Sequence, residues 1–135
     1  MVAEHEAEVL SDSECLRLLG AATVGRIVFT EHALPAVQPV AFTLAGRVIE
    51  VSNGVDGRLA KAVSGEVVAF EADHVAYGGV EWSVVALGRV DPLPAWREDA
   101  VRHRLRIRIE LLSGWRERGN NPLLTTGLPD PAAGG

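Results

Sequence analysis

Cysteine, lysine and aromatic residues are all scarce in this chain, and the first shortage closes off classes of function. Cys15 is the single cysteine among 135 residues, so no intramolecular disulfide framework and no multi-cysteine zinc site within one subunit can form. The four histidines, His5, His32, His74 and His103, are scattered without metal-ligand spacing, and no metal is expected. No apolar run nears the length needed to cross a bilayer. The opening MVAEHEAEVL lacks a basic region followed by an apolar stretch, so cytoplasm is the expected location and a membrane is not an expected partner. Lys61 is the only lysine beside many arginines, a compositional bias. The formal charge of -5 argues against nucleic acid, whose binding rests mainly on neutralising phosphates. A P-loop, a nucleophile elbow, an HExxH helix and a dinucleotide fingerprint are all missing, so no catalytic residue is assigned.

What is present suits one small domain: 47% hydrophobic and 23% charged residues, enough for a core and a solvated surface. Residues 1–10 read as a flexible tail, 11–119 as the folded domain, and 120–135, with three prolines and a Gly-Gly end, as an extended C-terminal tail. Ser11 with Glu14 forms a capping-box pattern ahead of Cys15, Leu16, Leu18 and Leu19, which predicts a short helix over 12–20. Extended runs follow at 25–30, 37–44, 47–52, 66–73 and 82–91. They are separated by turns such as Ala45-Gly46, Asn53-Gly54 and Gly78-Gly79. Pro39 inside the second run points to an edge, a bulge or a strand start. Residues 57–64 prefer helix, and residues 96–100 suggest a helical turn. From Leu105 the odd positions to Leu111 are apolar and the even ones charged, which predicts a strand with one buried face. About six strands, two or three short helices and no long crossovers describe a mainly β, closed or partly open antiparallel barrel.

Chemistry is sparsely signalled. Cys15 sits in an apolar stripe and reads as packing. Glu71 and Asp73 share a strand face, as paired carboxylates do, and read first as a salt-bridged or solvated face. Arg102, Arg104, Arg106 and Arg108 form a row of like charge that needs solvent, acidic neighbours or an anionic ligand. The stretch from Asn53 to Arg58 is the more suggestive one. There a strand ends in a glycine-rich turn, and a helix begins near Gly57 with Arg58 in its first turn, a pattern able to seat a phosphate.

An ordered set of strings resembles the pyridoxamine 5'-phosphate oxidase-like family of flavin-binding split barrels, in its small actinobacterial-type branch. They are Glu14-Cys15 with Leu18-Leu19, Val24 to Phe29, Leu34 to Val40 with Phe42, Gly57-Arg58-Leu59, Val67 to Asp73, and Trp82 to Val90. The resemblance implies a six-stranded antiparallel split β-barrel and a homodimer with cofactor sites at the subunit interface. It also implies FMN as the usual cofactor, with F420, FAD or haem in related branches. Carried onto this chain, Ser52 and Asn53 lie at the strand end, and Gly57 and Arg58 stand at the phosphate. Val37, Pro39, Val40, Ala41 and Phe42 run beside the isoalloxazine ring, and Trp82 and Ser83 approach the ring or the interface. The chain departs from the family at Ala41, where asparagine is frequent, at Val51, where a basic residue often stands, and at Gly57 in place of serine. Residues 31–36 are also short for a substrate-enclosing loop. The implied activity is two-electron transfer between the flavin and a small organic molecule. The alternatives are a non-catalytic flavin, F420 or haem carrier and a cofactor-less structural or regulatory dimer.

Overall fold

A computed structural model describes residues 7–93 and 104–117. Seven strands and two helices follow one another as β1 (Ala7–Val9), α1 (Asp12–Ala21), β2 (Val24–Glu31), β3 (Leu34–Ala45), β4 (Val48–Asn53), α2 (Gly57–Val63), β5 (Val67–Ala76), β6 (Gly79–Val90) and β7 (Leu105–Glu117). Every strand pairing is antiparallel. The neighbours run β7-β4-β3-β2-β5-β6, and β6 pairs again with β7, so the six long strands close a ring and β1 is added to the outside of β7. The ring is narrow at two seams. β2 meets β5 only over Arg26–Val28, and β4 meets β7 only over Val48–Val51. This is the split-barrel architecture, with one more strand than the sequence pattern suggested. The addition is β1, which falls in the stretch read as a tail. Its three residues carry no strand signal of their own and are held by pairing with Trp115–Glu117.

Alternate side chains fill the barrel. Ile27, Ile49, Phe70, Val84, Ala86, Leu105 and Ile107 have no exposed surface, and no polar residue is buried among the described residues. Each such large aliphatic or aromatic side chain contributes about 1.5–3 kcal/mol. Phe42 and Phe70 meet edge to face at 4.7 Å between ring centres in the middle of this core. Close approach at Gly25 makes it possible: a Cβ there would lie 2.5 Å from the Phe70 ring. α1 begins as predicted, with the Ser11 hydroxyl accepting from the Glu14 N–H at 3.2 Å. Its stripe of Cys15, Leu18 and Leu19 is buried.

The alternation in β7 holds only to Ile109. Leu111, expected inside, is 60% exposed, and Leu112 is buried in its place. A bulge opposite Leu87/Gly88 skips Glu110 and reverses the phase. The β2–β3 connection also differs from the expected loop. It is a two-residue turn at His32 and Ala33, both with positive φ (54° and 64°), so the strands extend to Glu31 and from Leu34. Helical residues predicted near 96–100, and the C-terminal tail at 120–135, lie outside the described residues.

Candidate functional site

β3 has two unlike halves. Leu34–Val40 pairs with β2 alone and Phe42–Ala45 with β4, and Ala41, at the junction, has a partner in both strands. Pro35 and Pro39 fall in the half that β4 does not reach, where a missing N–H costs no ladder bond, and a bulge at Ala41/Phe42 marks the junction. Beside this half lies the β4–α2 loop. The Gln38 side-chain amide donates to the Gly54 carbonyl. Gly54 has φ +87°, and a Cβ on it would stand 3.2 Å from the Pro39 carbonyl. A residue with a left-handed backbone and no side chain is what lets the loop lie so close to β3.

The loop ends at α2, whose cap is Asp56: its Oδ1 accepts from the Leu59 N–H at 2.8 Å. One of the amides expected to seat a phosphate is therefore already taken by the chain's own carboxylate. Arg58 does stand in the first turn, 65% exposed, and its Nη1 donates to Glu31 Oε1 at 2.9 Å. Glu31 is only 17% exposed and closes the end of β2. These contacts gather the end of β2, the half of β3 beyond the reach of β4, the loop and Arg58 into one corner.

The residues proposed for the site fall into distinct places. Val37 and Pro39 are exposed on the outer side of the barrel, with Ala41 half-buried in the same alternation, and Val40 and Phe42 point into the core. Their side chains are closed to a ligand, and the Phe42 N–H already donates to the Thr23 carbonyl at 3.1 Å. Ser52 and Asn53 are exposed at the end of β4, and Gly57 and Arg58 follow at the start of α2. Trp82 packs half-buried against the core, while the next residue, Ser83, faces outward, and its hydroxyl donates to Glu71 Oε2 at 3.3 Å. Glu31, Gln38 and Asp56 belong to the corner and were missed from sequence. Asp56 carried a signal, an acidic residue three places before a helical N–H, whereas Glu31 and Gln38 carried none.

A second polar group lies on the outer face of β2, β5 and β6. Arg26 Nη1 is 3.1 Å from Glu71 Oε1 and 3.7 Å from Asp73 Oδ1. Burial, reinforced by Asp73, pushes the Glu71 carboxyl above its ordinary value, against the pull of Arg26 and Ser83. A groove of about 390 Å³ opens beside Ser83, lined also by Val85, Ser113 and Trp115. The arginine row of β7 is met by acidic neighbours. Arg108 binds Asp91 through two nitrogens, at 2.7 and 3.1 Å, and Arg106 approaches Glu50 at 3.5 Å. Arg104 is exposed, and Arg102 and His103 lie outside the described residues. Cys15 is fully buried, and burial raises its thiol, which fits packing. Among the described residues no three His, Cys, Asp or Glu side chains gather as a metal site, and no helix is long and apolar enough to cross a membrane.

The family model described as pyridoxamine 5'-phosphate oxidase matches residues 11–122. The chain belongs to this family. Its barrel is similar to that of the FAD binding protein from Mycobacterium smegmatis, with a TM-score of 0.70 and 26% identity over 84% of this chain and 100% of that one. An FAD-binding protein from Mesorhizobium loti shares the fold, with a TM-score of 0.67 and 22% identity over 85% and 99% of the two chains. In sequence the chain is 39% identical over 91 residues to an uncharacterized protein of Mycobacterium tuberculosis, a match that spans 62% of this chain and 59% of that relative.

Proposed function

We propose that this member of the pyridoxamine 5'-phosphate oxidase family binds a flavin at the corner where β3 runs beyond β4, as a homodimer, and serves two-electron transfer to or from a small organic molecule. The observation that carries the reading is that corner. It has an open strand edge with the exposed apolar side chains of Val37 and Pro39, next to a glycine-bearing loop and an accessible arginine. An apolar ring with a charged tail fits that combination: the ring covers apolar surface and the guanidinium meets the tail. The FAD-binding M. smegmatis protein, similar over its whole length, supports the same ligand class.

When bound, the flavin supplies the hydride or electron transfer. The chain's own residues do the rest. Arg58 holds the anionic end, the β3 backbone and Asn53 offer polar groups along the edge, and Val37 and Pro39 exclude water. A homodimer accounts for the exposed apolar side chains on the outer face, Val24, Leu87, Leu111 and Trp115, which a second copy would cover. FMN is the first candidate, with FAD and the deazaflavin F420 beside it and haem as the alternative outside the flavins.

Titration with FMN and FAD, followed by flavin fluorescence and absorbance near ~450 nm, tests the reading. Wild type is expected to bind a flavin, and Arg58→Ala to bind it roughly tenfold or more weakly. A protein whose unfolding temperature no flavin or F420 raises, at concentrations far above any useful dissociation constant, would end it. Turnover with a reduced nicotinamide then separates an enzyme from a carrier.

A further inference from the structure

Strand register fixes what lies at the centre of the face that a second copy would cover. One row across five strands, Val37, Val28, Ala69, Leu87 and Leu111, is wholly apolar. The next row runs Pro39, Arg26, Glu71, Val85 and Ser113. Beyond it, on the same side of each strand, stand Val24, Asp73, Ser83 and Trp115. Arg26, Glu71 and Asp73 therefore form a charged island, with Leu87 and Leu111 on one side of it and Val24 and Trp115 on the other. A copy that covers those four apolar side chains covers the island as well.

With all three groups ionised, the island holds one guanidinium and two carboxylates, and one negative charge is in surplus. Ser83 offers Glu71 a hydroxyl but no charge. Neighbouring ionisable groups are engaged elsewhere: His74 pairs with Glu81 on the β5–β6 hairpin, Arg89 donates to the Gly65 carbonyl, Arg108 binds Asp91, and Arg116 stands near Glu8 and Glu14. Glu110, exposed in the β7 bulge, is two strands away and adds no cation. A second copy related by a two-fold axis brings the same face, and with it the same surplus. Water reaches the island in the single chain, but beneath a second copy an uncompensated charge is costly. One proton on the two carboxylates removes that charge and leaves Arg26 a partner. Burial and Asp73 already push the Glu71 carboxyl upward before the face is covered. We propose that each copy takes up one proton on its Glu71–Asp73 pair as the two faces close, so that acid tightens the dimer and alkali loosens it. The inference rests on the homodimer reading and adds to it how that contact is regulated. Because the dimer holds the proton more firmly, association weakens as pH rises through the range where the covered pair releases it.

The test is sedimentation of the full chain from about 10 nM to about 100 μM, at fixed salt and at pH values from about 5.5 to about 8.5. About 1 M urea is added throughout if wild type does not dissociate at the lowest concentration. The wild-type dissociation constant should rise about tenfold or more between pH ~6 and pH ~8. Glu71→Gln, which is neutral throughout, should hold its constant within about threefold over that range and dimerise more tightly than wild type at pH ~8. Asp73→Asn, which leaves Arg26 one carboxylate, should do the same, and it carries the test if Glu71→Gln does not fold. His74→Gln should keep the wild-type dependence. The proposal is overturned if the wild-type dimer has the same affinity at every pH, if either neutral variant keeps the wild-type slope, or if His74→Gln abolishes it. A wild-type chain that is monomeric at every pH and concentration is a different result. It overturns the homodimer reading together with the inference and leaves the face to another partner.

Discussion

Arg26 and Arg58 each reach a carboxylate at close to the same distance, 3.1 and 2.9 Å, yet their settings differ in kind. Arg26 stands on the face of β2 between Glu71 and Asp73 of the neighbouring strand, with Ser83 of the next strand holding the far oxygen of Glu71. All these positions are fixed by paired backbone: Arg26 lies opposite Glu71, and Asp73 opposite Ser83. Arg58 projects from a short helix after a loop, is 65% exposed against 40% for Arg26, and meets one carboxylate from a distant strand end. The contrast shows that ion-pair length says little about role. An arginine enclosed by two carboxylates on paired strands has its charge spent, whereas one with a single partner and open solvent retains donors for a ligand.

The largest effects should come from the backbone beneath each arginine. Gly25 precedes Arg26, and a Cβ there would lie 2.5 Å from two Phe70 ring atoms and 2.9 Å from the Glu71 carbonyl. Neither the ring, locked against Phe42, nor the paired strand can give way cheaply. Gly25→Ala should cost about 3 kcal/mol, read as a lowered denaturant midpoint. Gly54 plays the corresponding part beneath the Arg58 corner, with φ +87° and contacts of 3.2 Å rather than 2.5 Å. Gly54→Ala should cost about 1–2 kcal/mol through left-handed strain and should weaken flavin binding as the loop moves off β3. Gly25→Ala instead should act on stability and leave flavin affinity of the folded fraction nearly intact. Equal losses of affinity in the two variants would erase the distinction between a structural and a ligand-facing arginine.

The difference between the two regions also marks where sequence pattern stops being informative. Around Arg26, strands, core positions and the shared face of Glu71 and Asp73 follow from period-two alternation, which each residue carries locally. The buried Cys15 stripe and the Ser11 cap follow in the same way from helical spacing. Around Arg58 the deciding contacts join residues far apart in the chain, Glu31 to Arg58 and Gln38 to Gly54. The β2–β3 turn hid the first of these. A two-residue turn with positive φ at both positions normally announces itself with Gly or Asn, and His32-Ala33 does neither. Glu31 therefore read as loop instead of strand end. The same limit applies to Leu111 and Leu112, where a bulge set by the partner strand reverses which leucine is buried. The open edge of β3 was half legible through Pro39, but which side lacked a neighbour is a property of β4's length and register.

The smallest effect is also the most diagnostic of the Arg26 group. Burial first, then the hydrogen bond and charge of Asp73, hold the Glu71 carboxyl above its ordinary value of 4.5, with Arg26 and Ser83 opposing. A carboxyl raised in the folded state binds more protons there than in the unfolded chain. Its favourable contribution is thus complete below the unfolded value and is lost as pH rises through the folded one. Near neutral pH Glu71 is then a net liability despite its contact with Arg26, because Asp73 already supplies that arginine with a counter-charge. Glu71→Gln should match or exceed wild type in unfolding temperature at pH 7, and its advantage should shrink as pH falls toward 4. The opposite trend, wild type more stable at pH 7 with the gap closing in acid, would mean that Arg26 outweighs burial and Asp73. It would also make Glu71 a stabilising partner of the same kind as Glu31, and the two arginine settings would then differ in exposure alone.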